Sequence, residues 1–290
     1  MIYSNTFFSE KVAVLKTAIG RAELIIIGAG SGLSAAAGLR YDDPVVFNTL
    51  FPAYHEHYGL QTINEASFCQ FQTLEEQHAF WARLISAIRC EFPAGKPYLD
   101  LHRIIGGKPH FILTTNTDGQ FHKSGFNPDV ICTPQGDYAF FQCSRSCNDS
   151  IYHNEQMIMT MLLNIMPDEF SVPAEHIPRC PHCNSPLIPN IRNSDVFVEK
   201  PWIIKYSELN SLINTNRGKN ILLLELGVGI NAPGIIRYPF ELLTLQRKNT
   251  NLVRINLNTN NLTLLKNAEN AAIIQADIRT ILAELAERLL

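Results

Sequence analysis

The sequence predicts an α/β fold in which a parallel sheet is interrupted by two insertions. Three observations carry this. Short β-branched or leucine-rich runs alternate with segments of helical period along most of the 290 residues. Several runs end on glycine or polar turns, as buried parallel strands do at a ligand-bearing edge. Two cysteine pairs, Cys143-x3-Cys147 and Cys180-Pro-His-Cys183, break the alternation between the third and fourth runs.

The elements follow in order. Phe8 to Gly20 sets Val12, Val14, Leu15 and Ala18 at helical spacing and ends on glycine, a helix stop. Ala22 to Ile27 is a buried strand that feeds the turn Gly28-Ala29-Gly30-Ser31-Gly32. Ser34 to Gly38 begins a compact helix. Residues 43 to 75 are mixed, aromatic and weakly periodic, and predict a lid or small helical insert. Leu74 to Cys90 repeats Phe80, Leu84 and Ile88 every four residues, a clear helix. Pro97 to Ile105 is another, stopped by Gly106-Gly107. His110 to Thr114 is the second strand, and Thr115-Asn116-Thr-Asp118-Gly119 is the polar turn at its carboxyl end. Asp129 to Cys132 is the third strand, followed by Pro134-Gln135-Gly136. The stretch from 137 to about 195 holds the paired cysteines and one helix, Glu155 to Met166. Asn220 to Glu225 is the fourth strand, ending in Gly227-Val228-Gly229; Leu252 to Asn256 is the fifth and Ile273-Ile274 a brief sixth. Asp277 caps a last helix running to Leu290.

Bulk properties exclude several classes. A hydrophobic content of 46% suits a chain that buries a core. A net charge of −3 gives no general affinity for nucleic acid. No apolar run approaches the ~20 residues that span a bilayer. The first residues lack a basic segment followed by an apolar one, so the expected location is cytoplasmic. Monomer is the default, since coiled-coil heptads are missing.

Seven cysteines without an export signal argue against a disulfide framework. Four thiolates in two short-spaced pairs close a tetrahedral structural zinc site and leave no open position for catalysis. A redox Cys-x-x-Cys is the alternative; the second pair and the missing thioredoxin-like context weigh against it. His153, His176 and His182 read as surface histidines. Cys69, Cys90 and Cys132 read as buried small hydrophobes, with a functional role beside the active loop the alternative for Cys132. The turn Gly28-Ala29-Gly30-Ser31-Gly32, set between strand and helix, suits a dinucleotide pyrophosphate, because glycines let backbone approach the phosphates. A tight turn without ligand remains the alternative. The acidic ribose anchor expected about 20 residues on is missing, which points to a nucleotide that is consumed rather than recycled. The expected organisation is a Rossmann-like domain (1–45, 99–136 and 200–290), a helical insert or lid (46–98) and a zinc-binding module (137–199).

Taken in order, these blocks resemble the sirtuin family of NAD-consuming enzymes, from about residue 20 to the C-terminus. The family's G-A-G-x-S-x-x-x-G-I is matched by Gly30-Ser-Gly-Leu-Ser34-Ala-Ala-Ala-Gly38-Leu39, with Ser31 for the middle alanine. T-Q-N-I-D-G is matched by Thr114-Thr115-Asn116-Thr-Asp118-Gly119. The zinc cysteines follow, then Gly227-Val228-Gly229 where the family has G-T-S and Ile255-Asn256 where it has I-N. Two departures stand out. The family's P-D-F-R is absent, with Arg40-Tyr41-Asp-Asp-Pro44 in its place. The family's H-G is Gln135-Gly136.

The resemblance implies roles. Asp118 would accept from the nicotinamide carboxamide, and Asn116 would contact the ribose or an ordered water. Ser34 and the Gly30 to Gly32 backbone would hold the diphosphate; Asn256 would take the adenosine ribose beside Gly227 and Gly229. Gly28, Ala29, Gly38, Tyr41, Thr115, Val228 and Leu257 complete the implied nucleotide site. In deacylating sirtuins the histidine of H-G is the general base, and glutamine cannot take up a proton at neutral pH. Gln135 would fix the nicotinamide ribose without acting as base. Glutamine here resembles the macrodomain-linked microbial (class M) sirtuins, described as protein ADP-ribosyltransferases acting on a lipoylated carrier protein. The expected function is therefore transfer of ADP-ribose from NAD to a protein acceptor, with a macrodomain hydrolase as the reversing enzyme. An NAD-dependent deacylase and a non-catalytic NAD or ADP-ribose sensor are the alternatives.

Overall fold

A computed structural model describes residues 2–3, 7–167, 170–193, 195–230, 232–258, 265 and 268–288. Within them ten strands form two sheets. In chain order they are β1 (Ile2–Tyr3), β2 (Leu24–Ala29), β3 (His110–Thr114), β4 (Ile131–Cys132), β5 (Gly136–Cys143), β6 (Ile151–His153), β7 (Leu187–Ile191), β8 (Ile221–Leu226), β9 (Thr250–Asn256) and β10 (Ala271–Gln275). The larger sheet is parallel throughout, in the order β1-β10-β9-β8-β2-β3-β4. β2 and β8 are buried along their whole length, which explains their unbroken apolar runs. From β2 the chain builds outward to β3 and β4, then returns to lay β8, β9 and β10 on the other side. The strand order therefore reverses between β2 and β8, where open parallel sheets form a ligand crevice.

Helices cover both faces. α1 (Phe8–Arg21) buries Val12, Leu15 and Ile19 on one face, and α2 (Ser31–Ala36) follows the first glycine turn. Residues 43 to 75 fold as three short helices: α3 (Pro44–Leu50) capped by Asp43, α4 (Pro52–Tyr58), and α5 (Ile63–Phe68) capped by Thr62. α6 (Leu74–Ile85) starts on the cap Thr73. The single helix expected to Cys90 instead widens into a π turn over Ser86–Glu91, which inserts one residue and re-aims the chain beyond it. α7 (Lys96–Ile105) packs back on the sheet. α8 (Gln120–Lys123) follows Gly119, and α9 (Glu155–Leu163) ends three residues before the expected Met166. α10 (Lys200–Thr215) and α11 (Arg237–Gln246) cover the opposite face through Leu209, Ile213 and Phe240. Asp277 caps α12 (Ile278–Glu287) by accepting from Arg279 N at 2.9 Å; the expected end at Leu290 lies outside the described residues.

The small sheet, order β6-β5-β7, is antiparallel. It occupies the cysteine-bearing stretch where only a helix and metal knuckles were expected. A register shift between Gly136 and Phe141 breaks the alternation that would have announced β5. Segments 46–98 and 137–199 share one hydrophobic cluster: Phe47, Tyr54, Phe80 and Ile88 pack with Phe141, Met161 and Leu187. Of the three remaining cysteines only Cys132 is buried as expected; Cys69 is half-buried and Cys90 exposed. Cys90 stands two residues past Ile88, off the buried Phe80–Leu84–Ile88 series, and so turns outward. No described helix is long and apolar enough to cross a membrane.

Candidate active site

The two glycine turns meet at the switch point, backbone against backbone. Gly30 N donates to Leu226 O at 3.0 Å, Gly32 N to Gly227 O at 2.9 Å, and Gly227 N to Ile255 O at 3.0 Å. A Cβ on Gly227 would stand 2.5 Å from Leu33 N, and one on Gly30 2.7 Å from Gly227 O. Gly227 also has φ +61°, so glycine is required there on both counts. Gly28 and Ala29 prove to be the last residues of β2; a Cβ on Gly28 would strike Ile236 and Phe240, so this glycine serves packing. Gly38 ends α2 at φ +100°. Ser31, Gly229 and Leu257 are exposed, and half-buried Asn256 donates from Nδ2 to Val228 O at 3.1 Å.

Beside this floor stands the polar turn after β3. Thr115 N donates to Ala29 O at 3.0 Å, and Asn116 N to Thr114 Oγ1 at 3.0 Å. Asn116 Nδ2 donates to Gly30 O at 2.9 Å and to the Tyr98 hydroxyl at 3.1 Å. Asp118 is buried; its Oδ2 accepts from Ser34 Oγ at 2.5 Å and Tyr41 OH at 3.4 Å, and its Oδ1 from Gln120 N at 3.1 Å. Burial raises the Asp118 carboxyl above its ordinary value, against the lowering pull of the Ser34 hydrogen bond. Ser34, placed on the diphosphate by resemblance, has its hydroxyl engaged by Asp118 and Tyr98.

Tyr138 N donates to Thr117 O at 3.1 Å and so brings the Gln135-Gly136 segment alongside. Gly136 (φ +92°) presses on β7; a Cβ there would lie 1.9 Å from Asn190 O. Gln135, half-buried, borders a cleft of about 240 Å³ with Tyr41, Thr115, Thr117, Tyr138 and the α5 residue Phe68. Tyr41 and Tyr138 are its titratable groups among the described residues. Burial, then the Asp118 charge, pushes Tyr41 well above the usual phenol range, and burial raises Tyr138. A larger cavity of about 720 Å³ lies under α1 at the opposite, amino-terminal ends of β8 and β9, away from this chemistry.

The sulfurs of Cys143, Cys147, Cys180 and Cys183 all lie within 4.8 Å of one another, with Cys143–Cys183 at 3.5 Å and Cys147–Cys180 at 3.6 Å. Bonds of about 2.3 Å to a tetrahedral zinc put thiolates roughly 3.8 Å apart, so the donor set fits a structural Zn²⁺. The knuckles turn through left-handed residues, Ser146 (φ 44°) and Asn184 (φ 58°). Arg145 N and Asn148 Nδ2 donate to Cys143 and Cys147 sulfurs at 3.4 and 3.1 Å. The three neighbouring histidines stand outside the cluster.

No family model matches the chain. It is 31% identical over 252 residues to the protein ADP-ribosyltransferase of Staphylococcus aureus, covering 86% of this chain and 78% of that protein. It is 26% identical over 236 residues to the "Probable bifunctional ADP-ribose hydrolase/ADP-ribosyltransferase" of Fusarium oxysporum f. sp. cubense, covering 79% of this chain and 39% of that protein. The fold matches Sir2Tm bound to a propionylated peptide, with a TM-score of 0.60 and 17% identity over 96% of this chain and 98% of that one. It matches a Sir2 homologue in complex with NAD at 0.58 and 14%, over 96% and 93%. The chain belongs to the sirtuin family.

Two features of this sirtuin are hard to see in the sequence. Arg89, in the π turn, lies across Gly119 and pairs with buried Asp137, its Nε 2.7 Å from Oδ1. It thereby ties the segment carrying Asp118 to the one carrying Gln135. Beneath Val228 lies a buried cluster of four charges. Arg254 Nε stands 2.7 Å from Glu225 Oε1 and its Nη2 2.9 Å from Glu241 Oε1; Arg237 Nη2 donates to Val228 O at 2.6 Å. Glu225 inside a leucine-rich strand was the one available signal, since a buried carboxylate needs a cation. No spacing rule links Arg89 to Asp137, which are 48 residues apart.

Proposed function

We propose that this sirtuin consumes NAD, releases nicotinamide and transfers ADP-ribose to a protein acceptor. One observation carries the choice of transfer. Among the described residues lining the cleft beside Gln135, none can take up a proton at neutral pH; the titratable ones are tyrosines held in the neutral form. Deprotonating a ribose hydroxyl, the step a deacylating sirtuin gives to histidine, is without its base, a deficit worth about 10²–10⁴-fold. Attack at the anomeric carbon needs no base on the sugar. There the bond from C1′ to the nicotinamide nitrogen breaks, and its electron pair leaves with neutral nicotinamide. A bond then forms from C1′ to the acceptor nucleophile, whose proton passes to solvent. The name of the Staphylococcus aureus relative supports the same reading.

In this reading Asp118 holds the nicotinamide carboxamide and Asn116 the ribose or its water. Gln135 orients the nicotinamide ribose at the cleft that Tyr41 and Thr115 border. The Gly30-Ser31-Gly32 backbone takes the diphosphate. Gly227, Val228, Gly229, Asn256 and Leu257 flank the adenosine. Zinc is structural and holds the module that carries one wall of the cleft. A lipoylated carrier protein is the acceptor implied by resemblance. The Fusarium relative, whose name joins a hydrolase to a transferase, suggests a separate ADP-ribose hydrolase as the reversing enzyme.

Labelled NAD incubated with the protein and a lipoylated carrier should label that carrier, and acyl-lysine peptides should stay acylated. Robust deacylation without any labelled acceptor would overturn the proposal. Asn116→Ala should lower transfer by at least ~10²-fold, read as nicotinamide release well below the variant's own melting temperature; full activity would remove Asn116 from the site.

A further inference from the structure

Tyr98 lies on α7, fully buried, with its ring edge-on to Phe121 at 4.9 Å between centroids. Its hydroxyl stands between two residues of the proposed site, 2.9 Å from Ser34 Oγ and 3.1 Å from Asn116 Nδ2. Proton counting gives the chain a direction. A carboxylate only accepts, so Ser34 spends its single proton on Asp118. Ser34 must then accept from Tyr98, and Tyr98 accepts in turn from the Asn116 amide. A proton on Asp118 Oδ1 would face the donating Gln120 N–H, and one on Oδ2 would leave one hydroxyl proton of the chain without an acceptor, so the chain favours the ionised carboxylate.

We propose that Tyr98 is a positioning residue of the nucleotide site, closing a one-way chain of hydrogen bonds from Asn116 through Ser34 to Asp118. The inference rests on the proposed roles of Asn116 and Asp118. The chain fixes which end of the Asn116 amide faces Gly30 O and keeps Asp118 an acceptor, as a carboxamide ligand requires. Other groups facing Asp118 are Tyr41, from the loop before α3; Gln120 N, on its own turn; Lys123, from α8; Arg89, from the π turn; and Asp137, from β5. Burial and Asp137 favour the neutral acid, while Arg89 and the donors favour the anion.

Tyr98→Phe keeps the ring and deletes the link. Two readouts test it: carbon-13 titration of the Asp118 carboxyl without nucleotide, and the pH profile of nicotinamide release. In Tyr98→Phe the Asp118 titration and the acid limb of the profile should both move up by about one pH unit. Activity should fall roughly tenfold on the acid side and recover on the alkaline side, a pattern a general loss of structure does not give. Ser34→Ala should shift both further, and the double variant should match Ser34→Ala alone, because Tyr98 acts through Ser34. A 3,5-difluorotyrosine at position 98, a stronger donor, should move the titration downward and covers a Tyr98→Phe that fails to fold. An unmoved Asp118 titration, or additive shifts, would overturn the proposal. A wild-type protein that releases no nicotinamide, yet shows the predicted titration shifts, would sink the catalytic reading and leave the chain standing.

Discussion

Gln135 shows how much one side chain decides. Its amide can hold a ribose hydroxyl but cannot accept the proton, and the tyrosines around it are held neutral. Gln135→His should therefore add deacylation: acyl-lysine peptides followed by mass spectrometry should turn over up to ~10²-fold faster than with wild type. No gain, with the imidazole seated where Gln135 stands, would mean that a missing base does not explain the preference for transfer. The glutamine was visible in sequence because it breaks a short motif at a fixed place. Tyr98 was not, because its meaning lies in what its hydroxyl touches 18 and 64 residues away in the chain.

Single elements carry their own consequences. Six of the seven strands of the large sheet were legible since burial leaves continuous apolar runs, and glycine ends marked the crevice; β1, two residues at the sheet edge, carried no such run. β5, β6 and β7 were not, because a register shift breaks the alternation of β5, β6 has three residues and β7 carries a proline and an asparagine. Removing zinc should undo what pattern does not support. Structural zinc contributes on the order of 10 kcal/mol in small zinc-finger peptides, comparable to the whole margin of a domain. After chelation, amides of β5, β7 and α6 should lose hydrogen-exchange protection while β2, β3 and β8 keep theirs. Equal protection with and without chelator would show that the cysteines hold no structural ion.

His78 joins α6 to β7, with Nδ1 2.7 Å from Leu74 O and Nε2 2.9 Å from Leu187 O. Burial lowers its pKa, the two carbonyls pull the other way, and burial prevails. The unfolded chain then binds the proton more readily. Stability is intact above the ordinary imidazole value of about 6.5 and is lost as pH falls below it. Melting temperatures between pH 7 and 5 should fall, and His78→Gln should flatten that slope. An unchanged slope would assign the acid sensitivity elsewhere.

At the scale of the molecule, the buried charges beneath Val228 brace the sheet and the glycine floor together. Glu225→Gln strips Arg254 of its closest partner inside the core, and breaking such a pair costs about 3–5 kcal/mol. Urea denaturation should show that loss; a change under 1 kcal/mol, roughly the value of a surface pair, would mean that Glu241 alone satisfies Arg254.

The common cluster beneath the helical insert and the zinc module has a mechanical side. Prising those two apart exposes every side chain they bury jointly, and displacing them together breaks the bonds that tie them to the sheet, Tyr138 N to Thr117 O and Gln120 Nε2 to Pro93 O among them. Below them, interlocked glycines make an unyielding bed. An acceptor as bulky as a protein surface thus meets two walls that share one core and stand as a single block over that bed.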